Sequence, residues 1–218
     1  MSENSEATDG LRARNRERTT KRLEQAAWDL VAEKGFDAVT AEAIAERAEV
    51  SRRTFFNYYP RVELVLQERM RATIAGLVDR FCERPTDEDV QESLAAILSE
   101  PFGPELLETA AIVFGQASSS PAARFFLAEA QASEVSQVAE ALTARGGPWT
   151  DPMAAQVVAQ AVMGAGHVAT MVWLGQSHGV VNDRTRQLHL DLLRQAFAHL
   201  FITFSGASTL ADIPSSEI

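Results

Sequence analysis

This 218-residue sequence has one cysteine, two tyrosines, four scattered histidines and no run in which polar and apolar residues alternate as in a half-buried strand. A single cysteine, Cys82, excludes an internal disulfide framework and any site built from several cysteines. It fits a reducing compartment, with the thiol expected as half-buried packing in a helix. The histidines lack metal-ligand spacing, so no metal and no cofactor are expected. No G-x-x-x-x-G-K-[ST], no G-x-G-x-x-G behind a strand and no H-E-x-x-H occurs. The opening MSENSEATDG is polar and has no apolar core of a secretory signal, which points to a cytoplasmic protein.

Charge of one sign is missing from part of the chain. The net charge is −10. Residues 1–61 hold eleven Lys/Arg and eleven Asp/Glu, whereas residues 62–218 hold nine and nineteen. The acidic remainder repels phosphate, so any nucleic-acid role is confined to the N-terminal third. There, residues 11–22 (LRARNRERTTKR) carry six basic residues against Glu17. Residues 1–10 read as disordered, and residues 1–17 as a charged arm able to reach a minor groove or its phosphates.

What is present is helical periodicity. Leu23, Ala26, Ala27, Leu30 and Val31 share one face and predict a first helix from about Thr20 to Lys34, with Gly35 at its end. Thr40 suits an N-cap, and Val39 and Ile44 have the spacing of a hydrophobic staple. Val50, Ser51 and Phe55 repeat the arrangement eleven residues later. Two capped, stapled starts fix two short helices at a defined angle. Further helices are predicted at about 61–84, 87–99, 104–118, 121–144, 152–177 and 185–204, separated by Pro, Gly and Ser clusters. The fold class is all-α with about nine helices. The domain reading is an arm at 1–17, a helix-turn-helix domain at 18–62, a ligand-binding and dimerisation domain at 63–206, and a flexible tail at 207–218.

A second short helix opening on forked donors suits reading base edges in a major groove. Arg53 and Asn57 share a face at i, i+4, as do Arg52 and Phe56, while Phe55 and Tyr59 form the inward stripe. Cations at a helix start oppose its dipole, so Arg52 and Arg53 there call for a partner that offsets the cost. The segment ERTTKRLEQAAWDLVAEKGFDAVTAEAIAERAEVSRRTFFNYYP, Glu17 to Pro60, resembles the tetracycline-repressor (TetR) family of bacterial transcription regulators. The resemblance implies a homodimer on a palindromic operator, most often a repressor, released from DNA by a small ligand. By position it implies that Arg52, Arg53 and Asn57 face bases and that Thr40, Thr54 and Tyr58 face phosphates, with Ser51 opening the reading helix. Three positions depart from the family pattern. Glu49 stands where the turn usually has Gly, Phe56 where Tyr is common, and Val62 near a phosphate-binding Lys, for which Arg61 is the substitute.

Between Asp151 and Asp183 there is no Asp, Glu, Lys or Arg. A membrane span is one reading by length, opposed by Gln156, Gln160, His167 and three glycines, and by the lack of a flanking basic cluster. The other reading is a helix buried on both faces, one against its own domain and one against a second subunit, with helices 152–177 and 185–204 forming the seam. Leu188, Leu192, Leu193, Ala196 and Leu200 supply the matching stripe. Phe114, Phe125, Phe126, Met163, His167, Met171 and Trp173 are the expected lining of a pocket for an unknown lipophilic small molecule, for which the resemblance suggests acyl-CoA-like chemistry; packing as plain core is the competing reading for each. A DNA-binding module without a ligand is the alternative. Gly175-Gln176-Ser177-His178-Gly179 matches the hydrolase nucleophile signature G-x-S-x-G, which requires a strand before the serine and a helix after it. Here it ends a helix, so Ser177 as a nucleophile is a remote reading and no enzyme is expected.

Overall fold

The computed structural model describes residues 3–204. Among them are nine α-helices and no strand. The helices are α1 (Glu3–Lys34), α2 (Ala41–Arg47), α3 (Arg52–Tyr58), α4 (Val62–Cys82), α5 (Val90–Ile97), α6 (Pro104–Ala117), α7 (Pro121–Arg145), α8 (Pro152–Ser177) and α9 (Asp183–Phe204). Short 3-10 turns at Phe36–Ala38 and Gly147–Thr150 complete them. The expected tail at 207–218 lies outside the described residues.

Most boundaries follow local chemistry. Asp89, Asp151 and Ser120 accept from the backbone N–H groups of Gln91, Met153 and Ala123, and Pro121 and Pro152 occupy the first helical positions. Helix α1 departs from expectation, since residues 3–17, read as an arm, continue it. The stretch is rich in Ala, Arg and Glu, and the Glu17–Lys21 pair at i, i+4 (2.7 Å) supports a helix there. Cys82 also differs from its expected half-buried setting. It ends α4 and is exposed.

The chain divides into two compact units. The first comprises the chain up to Ala72 together with Gln116–Leu127. It is therefore larger than the 18–62 segment, because it takes in the start of α4 and the α6–α7 elbow. Leu23, Ala27, Val31, Ile44, Phe55 and Val65 are fully buried in it. The elbow contributes Phe126, whose ring lies 5.2 Å from Phe36 and edge-on to Trp28 at 6.3 Å. Gln116 accepts from the Phe36 N–H at 3.2 Å and donates to the Val31 carbonyl at 3.4 Å, which ties off the end of α1.

The second unit holds Thr73–Gly115 and the chain from Ala128 onward. One cluster joins Phe81, Ile97, Val135, Ala139, Leu142, Ala155 and Ala159, with Met163 packed against it. Another joins Leu98, Ala169, Leu190 and Leu193, with Phe102, Leu192, Ala196 and Phe197 around it. Small residues on α8 permit close approach of its neighbours. Three arginines satisfy loop carbonyls. Arg145 donates to the carbonyls of Phe81, Pro85 and Glu88; Arg186 to Phe102; Arg194 to Leu98 and Ser99. These bonds anchor the α4–α5 and α5–α6 connections, whose backbone groups would otherwise lack partners.

Candidate functional site

The helix-turn-helix is built from its caps inward. Thr40 accepts from the Ala43 N–H at 3.1 Å, and Ser51 from the Thr54 N–H at 3.0 Å. Ile44 and Phe55 are fully buried behind them. Phe55 meets Tyr59 with ring centroids 6.0 Å apart, as the inward stripe predicts. The Tyr59 hydroxyl donates to Glu24 of α1 at 3.1 Å. Burial, more than the neighbouring Glu24 carboxylate, pushes the Tyr59 hydroxyl above its usual range. Burial likewise raises Glu24, against the opposing pull of the Tyr59 bond.

The turn between α2 and α3 explains the first departure from the family pattern. Glu49 has φ 52°, the left-handed conformation that favours glycine. The Glu49 N–H bonds the Glu46 carbonyl at 3.0 Å, and the Val50 N–H bonds the Ala45 carbonyl at 2.9 Å. This pair of bonds is the Schellman closure of a helix. Arg22 of α1 donates to the Ala48 carbonyl and to the Glu49 carboxylate, at 3.0 Å for the latter. The turn geometry is thus the ordinary one, held with a non-glycine residue whose carboxylate is tethered from α1. Sequence reasoning missed Arg22; its only signal was membership of the basic run.

Helix α3 presents an outward face. Arg53 and Asn57 are exposed and have no hydrogen-bond or ion-pair partner among the described residues. Arg52 is exposed as well, but it pairs with Glu42 of α2 at 2.9 Å and its guanidinium lies 5.4 Å from the Phe56 ring centre. An in-chain partner therefore already offsets the misplaced charge of Arg52, while Arg53 has none. Thr54 is half-buried and its hydroxyl meets that of Ser51 at 2.8 Å. Tyr58 is half-buried, with Arg16 of α1 stacked 5.1 Å from its ring centre. Thr40, Ser51 and Arg61 are exposed at the rim. Helix α1 carries Arg14, Arg16 and Arg18 on exposed positions ahead of this face. Donors, hydroxyls and arginines thus gather on one side of the first unit, with the hydrophobic stripe on the other. Such a face can set a helix against base edges while its rim holds phosphates.

The residues expected to line a pocket are scattered. Phe114 and His167 do meet, with ring centroids 4.8 Å apart, and Gln131 of α7 touches His167 Nδ1. Met163 belongs to the Phe81 cluster. Trp173 is wholly buried between α8 and α9, its indole N–H donating to the Thr185 carbonyl at 2.7 Å and its ring against His189. Phe126 lies in the first unit with Trp28, and Phe125 and Met171 are exposed. Sequence reasoning passed over Gln131 and also Glu134, a carboxylate of the second unit that is only 6% exposed. Burial alone raises its pKa to about 7.

Ser177 is buried in the last turn of α8 and is followed by His178 in a left-handed cap. No strand precedes it, and its hydroxyl accepts from the Gly179 N–H at 3.3 Å. The strand-turn-helix that would expose a nucleophile is missing, so the G-x-S-x-G match is a helix terminus.

Comparisons with known proteins agree with this geometry. Residues 24–63 match the family model of bacterial regulatory proteins of the tetR family. An uncharacterised helix-turn-helix transcriptional regulator of Bacillus subtilis (strain 168) is 40% identical over 76 residues, covering 35% of this chain and 37% of that protein. Among solved structures, the Thermus thermophilus FadR repressor in complex with lauroyl-CoA aligns with TM-score 0.52 at 20% identity, over 84% of this chain and 93% of that one. A Rhodococcus sp. protein ascribed to the same kind of regulator gives 0.51 at 19%, over 84% and 97%. At these identities the structural likeness speaks for the fold alone.

Proposed function

Because this chain belongs to the tetR family of bacterial regulatory proteins, we propose that it is a ligand-responsive transcription regulator acting as a repressor, bound to a palindromic operator as a cytoplasmic homodimer. The observation that carries the reading is the face of α3. Arg53 and Asn57 stand one turn apart, exposed and unpartnered, on a helix whose other side is locked by Phe55 and Tyr59. Arginine forked onto a guanine edge contributes ~1–3 kcal/mol of discrimination. Arg52 would exchange Glu42 for DNA. Thr40, Ser51, Thr54, Tyr58 and Arg61, with the arginines of α1, would hold phosphates.

The dimer reading rests on α8. Met153, Val157, Val168, Met171 and Val172 remain exposed along it, at spacings that keep them on one side. The helix is long and apolar enough to cross a membrane by length and composition. Its packing against α9, its internal Gln156, Gln160 and His167, and the absence of flanking basic clusters favour a second subunit as the cover. Much of the α9 stripe is spent in its own unit, since Leu192, Leu193 and Ala196 pack in the Leu98 cluster. The outward apolar area therefore comes chiefly from α8, with Ile202 added by α9. A lipophilic effector fits the charge-free span of the second unit, and an acyl chain is one source of that chemistry.

Duplex sites enriched from a randomised pool provide the test. Wild type is expected to enrich an inverted repeat and to bind it with an affinity that falls steeply with salt. Arg53→Ala is expected to weaken binding and relax one base pair in each half-site. Enrichment of no repeat, or an Arg53→Ala variant with unchanged affinity and preference, refutes the assignment. A monomer by light scattering at micromolar concentration refutes the α8 seam.

A further inference from the structure

Four aromatic side chains lie in α3 or directly after it, and three of them are already occupied. Phe55 is wholly buried, Tyr59 turns inward and donates to Glu24, and Tyr58 is half-buried under the Arg16 guanidinium. Phe56 is the fourth. It remains 42% exposed, although a benzene ring is stabilised by leaving water. It also stands where a tyrosine would offer a hydroxyl to a phosphate, and it has none to offer.

The surroundings give that exposure a direction. At about 100° per residue, Arg52, Phe56, Arg53 and Asn57 follow one another round a single outward arc of α3, with Phe56 between the two arginines. The ring is braced on two sides. Phe55 meets it edge-on with centroids 5.4 Å apart, and the Arg52 guanidinium, itself paired with Glu42 at 2.9 Å, lies 5.4 Å from its centre. Phe56 is therefore a fixed apolar spot inside the polar face that the proposed function sets against DNA. It carries no donor or acceptor for a phosphate or for the polar edge of a base. The floor of the major groove is a pattern of donors and acceptors broken by one apolar group, the C5-methyl of thymine.

We propose that Phe56 is a specificity-determining residue that reads the C5-methyl of one thymine in each half-site, next to the bases taken by Arg53 and Asn57. The methyl packs on the exposed part of the ring, and both leave water together. Cytosine at that position presents an N4 donor and no methyl, so it leaves the ring without a partner and is disfavoured. Uracil differs from thymine by the methyl alone and isolates the contact. The inference rests on the reading of α3 as the DNA-reading helix and adds to it a base position that hydrogen bonds do not report.

Fluorescence anisotropy with the full-length protein and the enriched inverted repeat provides the test, with uracil replacing thymine at one position at a time in both half-sites. One position is expected at which the wild type loses affinity about fourfold for each methyl removed. Phe56→Ala is expected to bind the thymine and uracil duplexes alike at that position, while Phe56→Leu, still apolar, keeps most of the preference. The ratio is read within one protein, so an unfolded fraction cancels from it and a variant that folds poorly still reports. A repeat without thymine, a wild type indifferent to every uracil replacement, or a Phe56→Ala variant that keeps the full loss overturns the assignment and leaves the Arg53 reading standing. Failure to enrich any repeat refutes DNA recognition itself, and this inference with it.

Discussion

The two units differ in the kind of polar group their cores leave unmet: a weak indole donor in the first, titratable side chains in the second. In the first, the polar groups around the reading helix have local or neighbouring partners: Thr40 and Ser51 cap their own helices, Gln116 closes α1, and Tyr59 meets Glu24, while the Trp28 indole N–H is buried without one. In the second, Glu134 is 6% exposed with no hydrogen-bond or ion-pair partner among the described residues, and His189 Nδ1 is buried without one. A reading head gains from rigidity, because a shift of its donors forfeits the contact geometry. On the proposed function the second unit senses a ligand, and such a unit can carry unmet polar groups that a ligand satisfies. Substitutions that act on one strategy and spare the other measure how real the contrast is.

The largest effect is expected from the rigid side. Phe55 is wholly buried between α3 and its neighbours, and Phe55→Ala should cost about 3–5 kcal/mol of stability by urea denaturation. Met171→Ala, on an exposed face, should fall within ~0.5 kcal/mol for an isolated chain. Equal effects would mean that the head is packed no better than the exposed side of α8.

Next is the pH response of the second unit. The Glu134 carboxyl is raised from the ordinary 4.5 to about 7. The folded state therefore holds a proton that the unfolded state has lost. Its contribution is greatest below about pH 4.5 and falls away as pH rises through 7, by about 3 kcal/mol in all. His189, lowered to about 4 by burial, acts in the opposite sense and loses stability as pH falls from 6.5. The difference between wild type and Glu134→Gln isolates the glutamate. Denaturation at pH 5 and pH 7.5 should show the variant gaining on wild type at the higher pH. No change in that difference would remove the buried carboxyl from the contrast.

Smaller effects return to the head. Ser51→Ala removes the cap of α3 and should cost about 1 kcal/mol in thermal unfolding. Glu49→Gly relieves the left-handed residue and should stabilise by up to ~1 kcal/mol, less the exposed pair with Arg22, which is worth little. Destabilisation by Glu49→Gly would show that the Arg22 tether outweighs the backbone preference.

What could be read from the sequence follows the same division. Caps, staples and breakers act within a few residues, so α2, α3 and the ends of α6, α7 and α8 were all legible. The inward Phe55 and Tyr59 and the outward Arg53 and Asn57 followed from one helical period. Long-range pairing left no such trace. Nothing near Arg22 marks it as the tether of a turn 27 residues away. Nothing around Phe126 marks it for the first unit rather than a pocket in the second. Glu134 sits in an ordinary amphipathic stretch, where a glutamate reads as a solvated face, and only the packing of α7 shows it buried. The length of α1 was missed because a charged segment without an apolar face gives no periodic signal, although its residues favour helix.

The elbow Gln116–Leu127 bears on how this protein could be cut and recombined. A fragment ending after the helix-turn-helix, or even at Ala72, would lack Phe126 and the Gln116 amide. It would expose the Trp28 and Phe36 rings together with the open end of α1. Chimaeras that graft this head onto a foreign sensor would therefore need to carry the twelve-residue elbow with it. Transplanting residues 18–62 alone would present a sticky aromatic patch to solvent and favour aggregation over DNA recognition.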